Sequence, residues 1–273
     1  MPKVKRTTMK KDLCTVSLFE LDLYGKGRRG LLKDIGHKLI KREKLFIATP
    51  NSEFVVFARK NKWFKRALSR ANFLIPDGMG LIWATKLLLP EKKQLRETIT
   101  GVDLTEDLCQ LAARQDLSVY FFGSTPPTDR EQIGVAGRAL ARMKQKYPGL
   151  RGWAENGPAL KIDKLTGEWQ NRSLVERSLK EIKAKRPDFL FVALGMGKQE
   201  KFIVDCLEKL PVKLAMGVGG TFDYLSLKMK RPPFWLRKLG LEWLYRLLKQ
   251  PWRIKRQLAL VKFIWLVLTS KIC

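Results

Sequence analysis

At 273 residues, 45% of them hydrophobic, the chain can bury a sizeable core as one large domain or as a domain with an appendage. A formal net charge of +28 favours anionic partners, whether nucleic acid, phosphorylated ligands or an acidic membrane face. Four cysteines without a CxxC pair and a single histidine, His37, argue against a zinc site, a disulfide framework and a His-dependent nucleophile.

Residues 1–14 read as a basic leader with no apolar segment behind it, which is not a secretory signal. Residues 16–24 alternate apolar and polar side chains before Gly25-Lys26-Gly27, and predict a strand or half a hairpin. Leu31, Leu32, Ile35, Leu39 and Ile40 have helical spacing. Strand and helix signals then alternate: strand 45–48, helix 52–69, strand 72–75, helix 79–88, helix 103–114, strand 118–122 and helix 129–146. Residues 147–170, rich in Gly, Pro and Trp, read as a long loop. Helix 172–185, strand 188–194, helix 198–209 and strand 213–217 follow. Continuous apolar strands separated by helices predict an α/β fold, a Rossmann-like, largely parallel sheet with helices on both faces.

Composition changes near residue 227. Residues 228–273 hold twelve Lys or Arg against one acid, Glu242, and four of the eight tryptophans. Pro232-Pro233 fits a helix start, and Pro251 ends or kinks that helix before a more apolar one. Basic stripes beside Trp and Leu suit a helix lying in the plane of an anionic membrane; a terminal helix pair packed on the core is the alternative. No run of about 18 apolar residues predicts a spanning helix. The expected division is therefore a leader over 1–14, an α/β domain over 15–227 and a basic helical appendage over 228–273.

The chemistry-bearing residues follow the apolar runs, where an open parallel sheet places its ligands. Asp77 sits between a buried strand and Gly78; it can act as a general base or cap the next helix. Thr49 and Asn51 offer a hydroxyl and an amide to sugar groups, and Asn51 can equally start a helix. Gly217, Gly219 and Gly220 form a bare turn that a diphosphate can approach. The run from Gly195 ends in Gln199-Glu200 at a helix start, where backbone amides favour anions. Gly123 closes another strand, and no DxD pair lies beside these motifs to hold a metal.

Seven blocks in order carry a resemblance to a known family. They are Thr49-Pro50-Asn51-Ser52-Glu53, Pro76-Asp77-Gly78-Met79-Gly80, Thr100-Gly101-Val102-Asp103-Leu104, Phe122-Gly123-Ser124, Leu194-Gly195 with Lys198-Gln199-Glu200, residues 217–223, and residues 240–247 with Pro251, Arg253 and Arg256. Across residues 16–265 the chain resembles the WecG/TagA/CpsF glycosyltransferases, glycosyltransferase family 26. The resemblance implies inverting transfer of an N-acetylmannosamine-type sugar from a UDP-sugar donor to a polyprenyl-diphosphate-linked acceptor. It places the enzyme as a peripheral protein at the cytoplasmic face of the cell membrane, without a cofactor or an obligatory metal. By the same resemblance Asp77 is the base, and Thr49, Asn51, Gln199 and Glu200 position substrate. Gly123, Gly195, Gly217, Gly219, Gly220 and Asp223 belong to the nucleotide site. Arg246, Arg253 and Arg256 meet the diphosphate. The chain departs from the family at Gly197, where proline is usual, at Thr98, where arginine is usual, and at Leu227, where glycine is common. Homo-oligomers would hide apolar surface, but no interface is legible.

Two other classes compete. A nucleic-acid-binding protein fits the charge and the Trp-rich basic helices but leaves the strand-end motifs unexplained. A nicotinamide-dependent oxidoreductase would need an early GxGxxG turn that this chain lacks.

Overall fold

The structure is a computed structural model that describes residues 14–124, 133–233, 235–236, 240–251 and 254–270, without the side chains of 255–257. Residues 1–13 of the basic leader, residues 129–132 of one expected helix, and Arg253 lie outside the described residues.

Eight strands form one sheet in the order β1-β2-β4-β3-β8-β7-β5-β6. They are β1 (Thr15–Leu18), β2 (Leu21–Tyr24), β3 (Leu45–Ala48), β4 (Phe73–Leu74), β5 (Ser118–Gly123), β6 (Arg151–Glu155), β7 (Phe189–Ala193) and β8 (Leu214–Gly217). Every pairing is parallel except β1 with β2. The central strands β3, β5, β7 and β8 are buried along their whole length, which is why they read as unbroken apolar runs.

The helices are α1 (Gly27–Ile40), α2 (Ser52–Lys60), α3 (Lys62–Ser69), α4 (Met79–Leu88), α5 (Gly101–Arg114), α6 (Val135–Lys146), α7 (Arg172–Lys185), α8 (Lys198–Cys206), α9 (Thr221–Leu225), α10 (Glu242–Lys249) and α11 (Ile254–Ser270). One face of the sheet is covered by α2, α3, α4, α7, α8 and α11, through residues such as Phe54, Phe64, Ile82, Ile182, Phe202 and Phe263. On the other face lie α1, α5, α6 and α9, through Ile35, Leu108, Ala139 and Phe222 among others. Phe121 stacks on Phe222 at 4.6 Å and meets Phe191 edge-on at 5.4 Å, tying α9 to the middle of the sheet.

Several expected elements take a different form. Residues 15–24 make a whole hairpin rather than half of one, folded at Phe19 and Glu20, both of which adopt positive φ. That backbone matches the twist of a two-residue hairpin turn, and Phe19 is held there by the Phe263 ring at 6.1 Å. The helix expected over 52–69 is two helices, because Asn61 adopts an extended backbone between them. The expected loop over 147–170 contains β6. As an edge strand with no fully buried residue, it lacks the apolar run that marks the others. Beyond α9 the chain packs back onto the body, where Phe263 and Val267 of α11 join the core. Among the described residues, no helix is long and apolar enough to cross a membrane.

The Phe121 ring has neighbours on two sides and no access to water. Phe121→Ala is expected to lower unfolding free energy by about 3–5 kcal/mol, read from the midpoint of urea denaturation at unchanged slope.

Candidate active site

Strands β3 and β8 are neighbours, yet the helices that follow them, α2 and α9, lie on opposite faces. The divergence opens a crevice outside the carboxyl ends of the strands. Thr49, at the end of β3, is buried, and its hydroxyl donates to the Gly217 carbonyl at 3.2 Å. That bond pins the two strand ends together. Asn51 is the N-cap of α2: its side-chain oxygen accepts from the amides of Glu53 at 3.0 Å and Phe54 at 3.3 Å.

The turn after β8 is held from beneath by α8. Gln199 and Glu200 are 2% and 0% exposed. One oxygen of the Glu200 carboxylate accepts from the Gly197 amide and the other from Gln199 Nε2, both at 2.7 Å. Gln199 Oε1 then accepts from the Gly219 amide at 3.0 Å. Burial pushes the Glu200 carboxyl up to about 7, against the pull of these donors. A side chain at Gly217 would meet Gln199 Nε2 at 2.9 Å, so the relay requires bare backbone at that position.

From above, the turn meets α10. The Arg246 guanidinium lies 5.0 Å from the centre of the Tyr224 ring. Its Nη2 would stand 2.6 Å from a Cβ at Gly220. Nε and Nη2 of Arg246, and Nε of Arg231, are buried with no acceptor among the described residues. Buried guanidinium N–H groups left unpaired carry a desolvation penalty that an anion at the turn would relieve.

Asp77 follows β4, one strand from β3, and its amide donates to the Pro50 carbonyl at 2.9 Å. It does not cap α4; Gly78 occupies the N-cap position, with φ +102°. The half-buried carboxyl is raised to about 7, first by burial and then by the Glu242 charge, while Arg246 and Arg231 pull the other way. A base titrating there changes protonation close to neutral pH, where general-base catalysis is most effective. Asp103 also faces this group. Burial works to raise Asp103, but a forked bond from Arg231 and the Thr100 hydroxyl outweigh it and hold the acid at about 2.

Thr49, Gln199, Glu200, Gly217, Gly219, Gly220 and Arg246 are thus joined by direct contacts, and Asp77 reaches them through Pro50 and the field of α10. Gly195, in the turn after β7, and Gly123, at the end of β5, lie one and two strands from β8. Asp223 sits in the first turn of α9, its carbonyl accepting from the Met229 amide at 2.9 Å. Arg253 and the side chain of Arg256 lie outside the described residues.

The sequence of residues 16–273 matches the glycosyl transferase WecG/TagA/CpsF family. The chain belongs to the WecG/TagA/CpsF family. It is 32% identical over 227 residues, 82% of this chain and 79% of the relative, to the N-acetylglucosaminyldiphosphoundecaprenol N-acetyl-beta-D-mannosaminyltransferase of Bacillus subtilis (strain 168). Proteins of the same name from Bacillus spizizenii and Staphylococcus aureus (strain MRSA252) are 33% and 28% identical, across 82% and 83% of this chain and 78% and 81% of theirs.

In this WecG/TagA/CpsF glycosyltransferase, three charged residues around Asp77 received no role from the sequence: Asp103, Arg231 and Glu242. A signal for Glu242 was present, since a lone acid in a strongly basic segment needs a reason. Nothing local marks Arg231, because its partner is 128 positions away.

The raised Asp77 carboxyl has a stability consequence. Its contribution is fully present below the ordinary carboxylate pKa and is lost as pH rises through about 7. Asp77→Asn is therefore expected to match the wild type near pH 4 and to exceed it by roughly 1–2 kcal/mol at pH 8, in urea denaturation at the two pH values.

Proposed function

We propose that this glycosyltransferase moves an N-acetylmannosamine-type sugar, with inversion, from a UDP donor to a polyprenyl-diphosphate-linked sugar. The relatives' names supply the sugar and the acceptor. The observation that carries the donor is the glycine turn after β8, which faces the buried, unpaired Nη2 of Arg246 and has its Gly219 amide held by Gln199. A bare turn under a guanidinium is suited to a diphosphate, because the turn leaves room for it without side-chain bulk and the guanidinium offers N–H groups to its oxygens.

In this reading the acceptor hydroxyl oxygen attacks the anomeric carbon from the face opposite UDP. The new C–O bond forms as the bond to the β-phosphate oxygen breaks, and the electron pair leaves with UDP. Asp77 takes the hydroxyl proton. Charge developing on the departing diphosphate falls to Arg246, and we assign Arg253 and Arg256 the same task. Gln199 and Glu200 act from beneath by holding the turn, and Thr49 by tying it to β3. Asn51 orders the start of α2 beside the acceptor path, Asp223 and Gly195 complete the nucleotide end, and Gly123 lets the chain turn there.

The acceptor's lipid places the reaction at a membrane, at its cytoplasmic face in our reading. Residues 228–273 are suited to that surface. Ile254, Leu258, Val261, Trp265 and Leu268 recur every three or four positions along α11 and are each 53–66% exposed, while Phe263 and Val267 on the other side pack inward. An exposed apolar stripe flanked by a basic segment fits insertion into an anionic interface.

Asp77→Ala is expected to reduce transfer at least a thousandfold in a mass-spectrometric assay with UDP-N-acetylmannosamine and a short-chain polyprenyl-diphosphate acceptor, with donor binding retained in calorimetry; near-normal turnover would refute the base assignment. Leu258→Ser, Val261→Ser and Trp265→Ser together, which leave the core contacts of Phe263 and Val267 in place, are expected to abolish co-sedimentation with phosphatidylglycerol vesicles. Equal sedimentation of the wild type and this variant would remove the membrane role.

A further inference from the structure

The segment between α9 and α10 must bring α10 back over the strand ends, and one contact fixes its path. Arg231 forks onto Asp103 in the first turn of α5, Nη1 to Oδ1 at 2.7 Å and Nη2 to Oδ2 at 2.9 Å. Nη2 also donates to the Thr100 hydroxyl at 3.0 Å, and that hydroxyl in turn donates to Asp103 at 2.6 Å. Both ionic side chains are about a quarter exposed, so the pair is shielded from salt. Beyond it, Gly240 lies so close to Met79 at the start of α4 that a Cβ there would stand 2.6 Å from the Met79 side chain. This close approach places the start of α10 beside Asp77.

We infer that Arg231 is a positioning residue: its fork on Asp103 and Thr100 anchors the segment between α9 and α10, so that α10 presents Glu242 and Arg246 to Asp77. The charged groups facing Asp77 are Glu242 and Arg246 from α10, Asp103 from α5, and Arg231 itself. With the fork released, α10 withdraws both its cover and its charges. The consequence for turnover rests on the reading of Asp77 as the base; the anchoring itself does not.

The test uses the full chain and the variants Arg231→Met, Arg231→Lys and Asp103→Asn. Hydrogen exchange of the α10 amides reports anchoring without reference to activity, and is expected to rise at least tenfold in all three. Arg231→Lys keeps the charge but cannot fork across two carboxylate oxygens, so it is expected to side with Arg231→Met. Transfer assays are expected to show kcat lowered at least tenfold, and the acid limb of kcat/KM moved to lower pH in both Arg231→Met and Asp103→Asn, because burial and Glu242 leave Asp77 together. If the two residues acted only as point charges, the limb would move down in Asp103→Asn and up in Arg231→Met; opposite shifts overturn the inference. Unchanged α10 exchange, or wild-type behaviour of Arg231→Lys, overturns it as well. A failure of the base assignment is separate, since it shows as turnover in Asp77→Asn and leaves the exchange result to be judged by itself.

Discussion

The arrangement at the strand ends depends on one buried carboxylate. Glu200 accepts from the Gly197 amide and from Gln199, and only because Gln199 Nε2 is satisfied there does its oxygen point at the Gly219 amide. Burying an acid is costly unless donors surround it, and here the donors are part of the architecture. One belongs to the entry of α8, the other to the side chain that holds the next turn. Replacing Glu200 with an apolar residue would leave an amide nitrogen and a backbone N–H without acceptors inside the protein, and the glycine turn without its support from beneath. Gly217 follows from the same constraint, since the relay runs through the space a side chain would fill.

With the turn fixed, the segment over it decides the electrostatics. Asp77 lies between like and unlike charges: Glu242 and Asp103 resist its ionisation, Arg246 and Arg231 favour it, and burial tips the balance upward. Asp103 is in the opposite condition, held ionised by the Arg231 fork and the Thr100 hydroxyl. Two carboxyls in the same field are thus driven in opposite directions, Asp77 up to about 7 and Asp103 down to about 2, because one has a bidentate partner and the other has none among the described residues. In the proposed reaction, that contrast sets the base apart from a structural anion.

Much of this was legible in the sequence where burial is uniform. The strands β3, β5, β7 and β8 read as apolar runs because both faces of each are covered, and the residues that follow them mark the crevice. β6 was hidden for the converse reason: as an edge strand it carries Arg151 and Glu155 at its ends and has no continuous apolar signal. The hairpin turn at Phe19-Glu20 carries neither Gly nor Asn, so its positive φ values are a tertiary effect, stabilised by Phe263 from the far end of the chain. At the site, Asp77 could be read as cap or base from its neighbours alone. In the structure Gly78 takes the cap position, which leaves the carboxyl without that role. Arg231 and Asp103 could not be paired from sequence, since no periodicity links residues so far apart.

The C-terminal segment has two apolar surfaces with different tasks. Phe263 and Val267 close the core beside α2 and α4, which makes α11 part of the fold rather than a free tail. The stripe from Ile254 to Leu268 has no such partner among the described residues and remains open to solvent. α10, which precedes α11 along the chain, carries Glu242 and Arg246. In the proposed reading, the stripe of α11 that would meet lipid lies on the same covalent path as the charges around Asp77, with the core contacts of Phe263 at one end and the Arg231 fork at the other.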